Sequence, residues 1–184
     1  MLKAVDVANF FIDMANNDPD DCMTNLRLNK LLYFAQAWSL IRNHKPLFNE
    51  DIQAWKYGPV IPSVYKTFKP CGRERIASVS DDNFSMNKFS TDELQLLIDI
   101  LEEYGQYSSP ALVKLTHSND GPWKKVYDEY SNEVITQDSL INYFSKKQPL
   151  KTFQVPKTSE CDFVGYRDKQ DGLLILPKEY DDDN

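Results

Sequence analysis

The spacing of apolar positions in the first part of the chain predicts two helices. Apolar residues recur at intervals of three and four over residues 3–16, which indicates an amphipathic helix. A turn rich in Asn and Asp follows, and Thr24 is placed to cap a second helix that we expect to reach Asn43. Because this second helix is apolar on nearly every side, the sequence predicts that it is central and packed on more than one face.

The middle of the chain predicts a short β element followed by a short helix. Residues 52–57 are typical of a strand or extended segment. Gly58 and Pro59 then break the chain, since proline disfavours helical geometry before it and has no amide hydrogen. Pro62 can begin the next helix. Residues 71–89 are polar without sustained periodicity, so we expect a loop there.

Helix-capping signals predict three further helices. Ser90 and Glu93 form a capping-box pair ahead of an apolar pattern of helical spacing that ends before Gly105. The segment Ser109–Thr116 begins with a Ser-Pro pair, and Thr136 caps a last helix. The predicted fold class is therefore mainly α, a single helical domain with a small β element.

The pattern changes near the C-terminal end of the chain. Two apolar segments, 163–166 and 173–176, flank an Asp-Gly turn, which predicts a hairpin or an extended arm. The acidic tip at 179–184 is expected to be disordered. We therefore divide the chain into a domain at 1–148 and a C-terminal arm at 149–184.

Charge is distributed unevenly along the 184 residues. The net charge is -7, yet residues 24–75 hold nine Lys or Arg against three acids, a net charge of +6, and the rest of the chain sums to -13. The basic segment either steers an anionic partner or forms part of a mixed, solvated surface. Asp6 and Asp13 interrupt the first apolar stretch, and no apolar run reaches the length of a membrane span. With three widely spaced cysteines, the chain is expected in the cytoplasm and not at a membrane.

Residue patterns that are typical of metal sites and of catalytic sites are sparse in this sequence. The two histidines, His44 and His117, have no second histidine or cysteine at a metal-ligand spacing. Local signatures of nucleotide binding and of serine hydrolases are absent. Pairing Cys22 or Cys71 with His117 as nucleophile and base has no supporting pattern. We therefore expect no enzymatic activity, no metal and no cofactor.

Three motif blocks are the most informative feature of the sequence. They are LRLNKLLYFAQ at 26–36, AWKYGPVIPSVYKTF at 54–68 and LTHSNDGPW at 115–123. In this order they resemble the Panacea domain, the family of SocA-like antitoxins and phage-associated GepA proteins. The resemblance covers about residues 1–145.

The resemblance implies binding and not catalysis. It implies a protein that binds and neutralises a toxin encoded nearby, in a toxin-antitoxin or phage-defence locus, with delivery of the toxin to a cytoplasmic protease as one variant. A nucleic-acid-binding transcriptional regulator that uses the basic segment 27–75 is the competing hypothesis. The isoelectric point near 4.9 makes nucleic acid the less favoured partner.

Basic and aromatic residues of these blocks are the candidate partner-binding residues. Trp55 and Tyr57 are either core aromatics or interface anchors. Lys30 interrupts an apolar helix, so it must snorkel or pair with an acid, and His117 either braces a helix end or contacts the partner. The full set is Arg27, Lys30, Tyr33, Trp55, Lys56, Tyr57 and His117.

Overall fold

The computed structural model describes most of the chain in two separate units. The described residues are 2–17, 22–79 and 84–153, together with the backbone of 166–167 and 174–175. The compact units are Met1–Phe153 and Gln154–Asn184. The predicted acidic tip at 179–184 lies outside the described residues.

Helices dominate the first unit. Within its described residues, the α-helices are α1 (Ala4–Asn16), α2 (Asn25–Arg42), α3 (Pro62–Phe68), α4 (Thr91–Tyr104), α5 (Ser109–Thr116), α6 (Pro122–Val126) and α7 (Gln137–Phe144). Two short strands, β1 (Gln53–Trp55) and β2 (Gly58–Val60), form an antiparallel hairpin, and single 3-10 turns occur at Lys69–Cys71 and Met86–Lys88. The predicted fold class, mainly α with a small β element, is confirmed.

Helix α2 is the centre of the unit. It begins after Thr24, whose side chain accepts a hydrogen bond from the Arg27 amide, as expected for an N-cap. Fifteen of its 18 residues are buried, and α1, α4, α5 and α7 all pack against it. Because every side of the helix meets another element, the presence of apolar residues on all its sides is explained, and the predicted central position is confirmed.

Local capping chemistry sets the starts of the later helices. The Ser90 hydroxyl and the Glu93 carboxylate form the predicted capping box at α4, with the Ser90 amide donating to Glu93 at 2.9 Å. Ser108 caps α5, one residue before the predicted start. Thr136 caps α7 as predicted, accepting from the Ser139 amide.

The β element differs from the single strand predicted at 52–57. The chain turns at Lys56–Tyr57 and returns as β2, with Ala54 opposite Pro59 and Trp55 opposite Gly58. The prediction of a chain break at Gly58 was wrong, because this glycine follows the turn directly and is the first residue of a paired strand.

A third segment extends the hairpin on the outer side of β1. The amide of Ala54 donates to the Glu133 carbonyl at 2.8 Å, and the amide of Ile135 donates to the Ile52 carbonyl at 2.8 Å. Val134 forms the isolated bridge to β1 between these two hydrogen bonds. The connection between α6 and α7 is thereby fixed to the hairpin.

A buried carboxylate holds the last residues of the first unit. Asp99 on α4 is fully buried, and its oxygens accept from the Arg42 guanidinium (2.5 Å), the Gln95 amide (2.8 Å) and the Phe153 backbone amide (2.8 Å). Arg42 also donates to the Leu150 carbonyl at 3.3 Å. Part of the segment that the sequence assigned to the C-terminal arm is thus anchored on α2 and α4.

The second unit is described by one antiparallel pair. Strand β3 (Tyr166–Arg167) pairs with β4 (Leu174–Ile175), with Tyr166 opposite Ile175. This pairing agrees with the hairpin predicted for this region. The remainder of the predicted arm beyond Phe153 lies outside the described residues.

Candidate functional site

Lys30 brings the first motif block into contact with the second. Its side chain is 0% exposed, and Nζ donates a hydrogen bond to the Pro59 carbonyl at 2.9 Å. Within the described residues no carboxylate pairs with it. Burial lowers the pKa of the Lys30 ammonium to about 7, because the charged form loses its hydration. The expectation that Lys30 snorkels or pairs with an acid was wrong, since a backbone carbonyl of the hairpin is its partner.

Gly58 packs the hairpin tightly against two other segments. Its φ of +99° lies in a region that L side chains rarely adopt. A Cβ atom at this position would lie 2.7 Å from Lys30 Cε and 2.8 Å from Thr116 Oγ1. Glycine is therefore required both by the backbone conformation and by the contact between the three motif blocks.

The third motif block also contacts the hairpin, at the Trp55 and Lys56 carbonyls. The His117 Nδ1 atom donates to the Val113 carbonyl at 2.6 Å, and Nε2 lies 3.4 Å from the Lys56 carbonyl. The His117 ring packs on Trp123 at a centroid distance of 3.7 Å. Trp123 Nε1 in turn donates to the Trp55 carbonyl at 2.8 Å. Side chains of the first and third blocks thus contact three backbone carbonyls of the hairpin.

The outer side of this hairpin is exposed. Tyr57 at the turn is 63% exposed, and Lys56 beside it also faces solvent. Trp55 is half-buried, with Nε1 donating to Gln53 Oε1 at 2.9 Å and its ring in edge contact with Tyr65 at 4.9 Å. We call the surface formed by Trp55, Lys56 and Tyr57 the hairpin face.

Two other candidate residues lie beneath the surface. Arg27 is buried, and its guanidinium donates to the carbonyls of Gly105 and, at 3.4 Å, of Cys22. Tyr33 is buried on α2 and lines a cavity. The candidate set therefore separates into the exposed hairpin face, the half-buried His117, and the buried group Arg27, Lys30 and Tyr33.

Asn29 is a positioning residue that the sequence analysis missed. Its Nδ2 donates to the Asn25 carbonyl at 2.9 Å, and its Oδ1 accepts the Ile61 amide at 2.8 Å. Asn29, which directly precedes Lys30 in α2, therefore fixes the connection between β2 and α3. The signal in the sequence was a polar side chain directly beside Lys30, ahead of the apolar run that follows it in α2.

The geometry offers little for catalysis. Lys30 has a lowered pKa, but its side chain has no access to solvent or substrate. In the described part of the chain, no group of three or more His, Cys, Asp or Glu side chains could hold a metal ion. No described helix is both long and apolar enough to cross a bilayer. The hydrogen-bonding groups gathered here are instead used to shape the hairpin.

The fold and the site define a mainly helical domain with one exposed hairpin. The central helix α2 supports the hairpin from one side, and His117 and Trp123 support it from another. The chain belongs to the antitoxin SocA-like, Panacea domain family, whose model matches residues 28–124. That range includes Lys30, the hairpin, His117 and Trp123. The resemblance that the three motif blocks predicted is confirmed.

A curated relative supports the same assignment. Antitoxin SocA of Caulobacter vibrioides (strain NA1000 / CB15N) is 33% identical over 130 residues, which cover 64% of this chain and 66% of the relative. The match thus spans slightly less than two thirds of the relative's own length. No solved structure matches the chain significantly.

Proposed function

We propose that this protein is an antitoxin that acts by binding a toxin encoded nearby in the cytoplasm. Membership of the antitoxin SocA-like family carries the proposal. We place the interaction on the hairpin face, and the meeting of the three motif blocks at a well-supported hairpin with an exposed outer side supports this choice. The proposed activity is non-enzymatic neutralisation.

The hairpin face has the chemistry of a protein-binding surface. Tyr57 and the half-buried Trp55 supply large aromatic area, and interface anchors are enriched in Tyr and Trp. Lys56 between them adds a positive charge that accelerates encounter with an acidic surface. Val134 on the segment that extends the hairpin, and Tyr130 three residues before the first paired residue of that segment, are two more exposed apolar side chains.

The buried candidate residues have a supporting role in this proposal. Lys30 holds the Pro59 carbonyl after the turn, and His117 packs on Trp123, whose Nε1 holds the Trp55 carbonyl before it. These residues set the position of Tyr57 without touching the partner. Arg27 holds the start of α2 to the end of α4 through the Gly105 carbonyl. A preformed hairpin loses little conformational entropy on binding, which favours affinity.

A nucleic-acid-binding regulator is less well supported. That function requires the basic residues of 27–75 on the surface as a phosphate-contacting stripe. Lys30 is instead buried on a carbonyl, Arg42 is paired with Asp99, and Arg27 is buried at the start of α2. The adaptor variant, with delivery to a cytoplasmic protease, has no described feature in its favour beyond the family.

Co-expression with each neighbouring reading frame tests the proposal. We expect one frame to arrest growth alone, and the protein both to restore growth and to co-purify with its product. Lys56→Glu should slow association and reduce its salt dependence, whereas Lys146→Glu, a matched change after α7, should not. Failure of every neighbouring frame to be toxic or to bind would refute the proposal.

A further inference from the structure

A cavity of about 410 Å³ lies on the side of α2 that faces α4 and α7. Its size falls in the range of small-molecule pockets, roughly 300 to 1,000 Å³. Seven of its sixteen lining residues are aromatic, and residues 147–151 also line it. The principal wall residues are Tyr33, Phe34, Trp38, Tyr104, Tyr143 and Phe144.

The aromatic walls form flat, fixed surfaces. Phe34 and Tyr104 are stacked at a centroid distance of 3.9 Å with an interplanar angle of 5°. Trp38 Nε1 donates to the Tyr104 hydroxyl at 3.0 Å, and Phe144 meets Trp38 edge-on at 5.5 Å. Surfaces of this kind suit a planar ring, because aromatic groups favour stacked and edge-to-face contacts.

One polar group of the wall has no partner. The side chain of Tyr33 is 1% exposed, and within the described part of the chain its hydroxyl makes no hydrogen bond. The neighbouring hydroxyls differ: that of Tyr143 lies 2.8 Å from Ser118 Oγ, and that of Tyr104 accepts from Trp38. Burial raises the pKa of the Tyr33 phenol, so this group is a neutral donor. Because Tyr33 lines the cavity, this hydroxyl can donate to an acceptor atom of a molecule bound there.

The exposed charged residues that line the cavity favour an anion. The charged residues that line the cavity are Lys147, Lys151 and Glu103, a net charge of +1. The Lys147 ammonium lies 4.3 Å from the centre of the Tyr143 ring, and its interaction with the Tyr143 side chain raises the pKa of Lys147. A permanent positive charge therefore lies beside the aromatic wall.

From these features we infer that the cavity binds a small planar aromatic molecule that carries one carboxylate or a similar anionic group. The ring lies against the Phe34 and Tyr104 walls, an acceptor atom takes the Tyr33 hydrogen bond, and the anion pairs with Lys147. The inference is independent of toxin binding, which we place on the hairpin face.

Three probes of one shape test the inference on the full-length protein. They are 2-naphthoate, the neutral 2-naphthamide and the cationic 2-naphthylmethylammonium, each titrated by heteronuclear NMR. We expect 2-naphthoate to bind with a Kd on the order of 1 mM, as befits a ligand of about 13 non-hydrogen atoms. It should also bind about threefold to fivefold more tightly than the amide, the scale of one exposed ion pair. The shifted amides should belong to residues of the cavity wall.

Variants identify the groups that bind the probe. Lys147→Gln should remove the preference for 2-naphthoate over the amide, whereas Lys146→Gln, the adjacent control, should retain it. Tyr33→Phe keeps the aromatic ring and removes the hydroxyl. It should raise the Kd for 2-naphthoate by about threefold, the scale of one hydrogen bond. The inference would be overturned if 2-naphthoate did not bind at a concentration about 10-fold above the expected Kd. It would also be overturned if the cation bound more tightly, if the anion and the amide bound equally, or if Lys147→Gln kept the preference for the anion.

Discussion

Replacement of Lys30 by methionine should flatten the pH dependence of the free energy of unfolding. Lys30 is fully buried on the Pro59 carbonyl, and burial lowers its pKa to about 7 from the usual 10.5. Below about pH 7 the folded and unfolded chains are both protonated at Lys30, so the full cost of burying the charge is present. Between about pH 7 and 10.5 the folded chain has lost a proton that the unfolded chain retains. Stability contributed by this group therefore rises with pH across that window.

The size of the effect follows from the shift in pKa. Each pH unit within the window is worth about 1.36 kcal/mol. Between about pH 7 and 9.5 the wild-type protein should gain about 3 kcal/mol from Lys30 that the methionine variant does not. Methionine also leaves the Pro59 carbonyl without its donor, a cost of about 1 to 3 kcal/mol that does not depend on pH. The slope, and not the absolute stability, is the informative quantity.

Urea denaturation followed by circular dichroism at pH 6, 7, 8, 9 and 9.5 measures this slope. Lys66→Met replaces an exposed lysine of α3 and should reproduce the wild-type curve. The difference between wild type and Lys30→Met should stay constant from pH 6 to 7 and then change by about 1 kcal/mol per pH unit. Parallel curves for wild type and Lys30→Met over the whole range would show that the ammonium is not buried on the Pro59 carbonyl.

Two other substitutions have sharp expectations for stability, both measurable by urea denaturation. Gly58→Ala should cost about 2 to 4 kcal/mol because the new Cβ meets two packed side chains at less than 3 Å. Gly72→Ala, also at positive φ but with nothing within 4 Å, should cost only about 1 kcal/mol; equal costs would remove the close contact from the explanation. Asp99→Ala should cost about 3 to 5 kcal/mol because it leaves Arg42 without its buried partner, whereas Asp92→Ala in the exposed first turn of α4 should cost less than about 1 kcal/mol.

The helices were predictable because their determinants are local. The Ser90 and Glu93 capping box and the Thr24 N-cap act within one turn of chain, and the apolar period of α4 needs no knowledge of its neighbours. The all-round apolar character of α2 predicted its central position for the same reason. The three motif blocks indicate the family equally directly, because each is a contiguous run of residues.

The hairpin and its supports depend on contacts distant in sequence. Gly58 and Pro59 have the composition of a chain break, and only pairing with β1 makes them a strand. Lys30 was expected to reach water or an acid, because a carbonyl 29 residues away cannot be seen in a local pattern. The sequence could not tell which of Trp55 and Tyr57 is exposed. That difference arises because Tyr65 packs against Trp55 and not against Tyr57.

The affinity of the protein for its toxin, with and without the Tyr57 side chain, tests the central claim most directly. Tyr57 is the most exposed aromatic residue of the hairpin face, so the removal of its side chain should weaken binding and leave the fold intact. We predict that Tyr57→Ala raises the Kd by at least about tenfold, the scale of an interface anchor, without lowering Tm. Tyr107→Ala, at an exposed tyrosine between α4 and α5, should leave the Kd unchanged. A folded Tyr57→Ala protein that binds the toxin with wild-type affinity would contradict the assignment of the hairpin face as the binding surface.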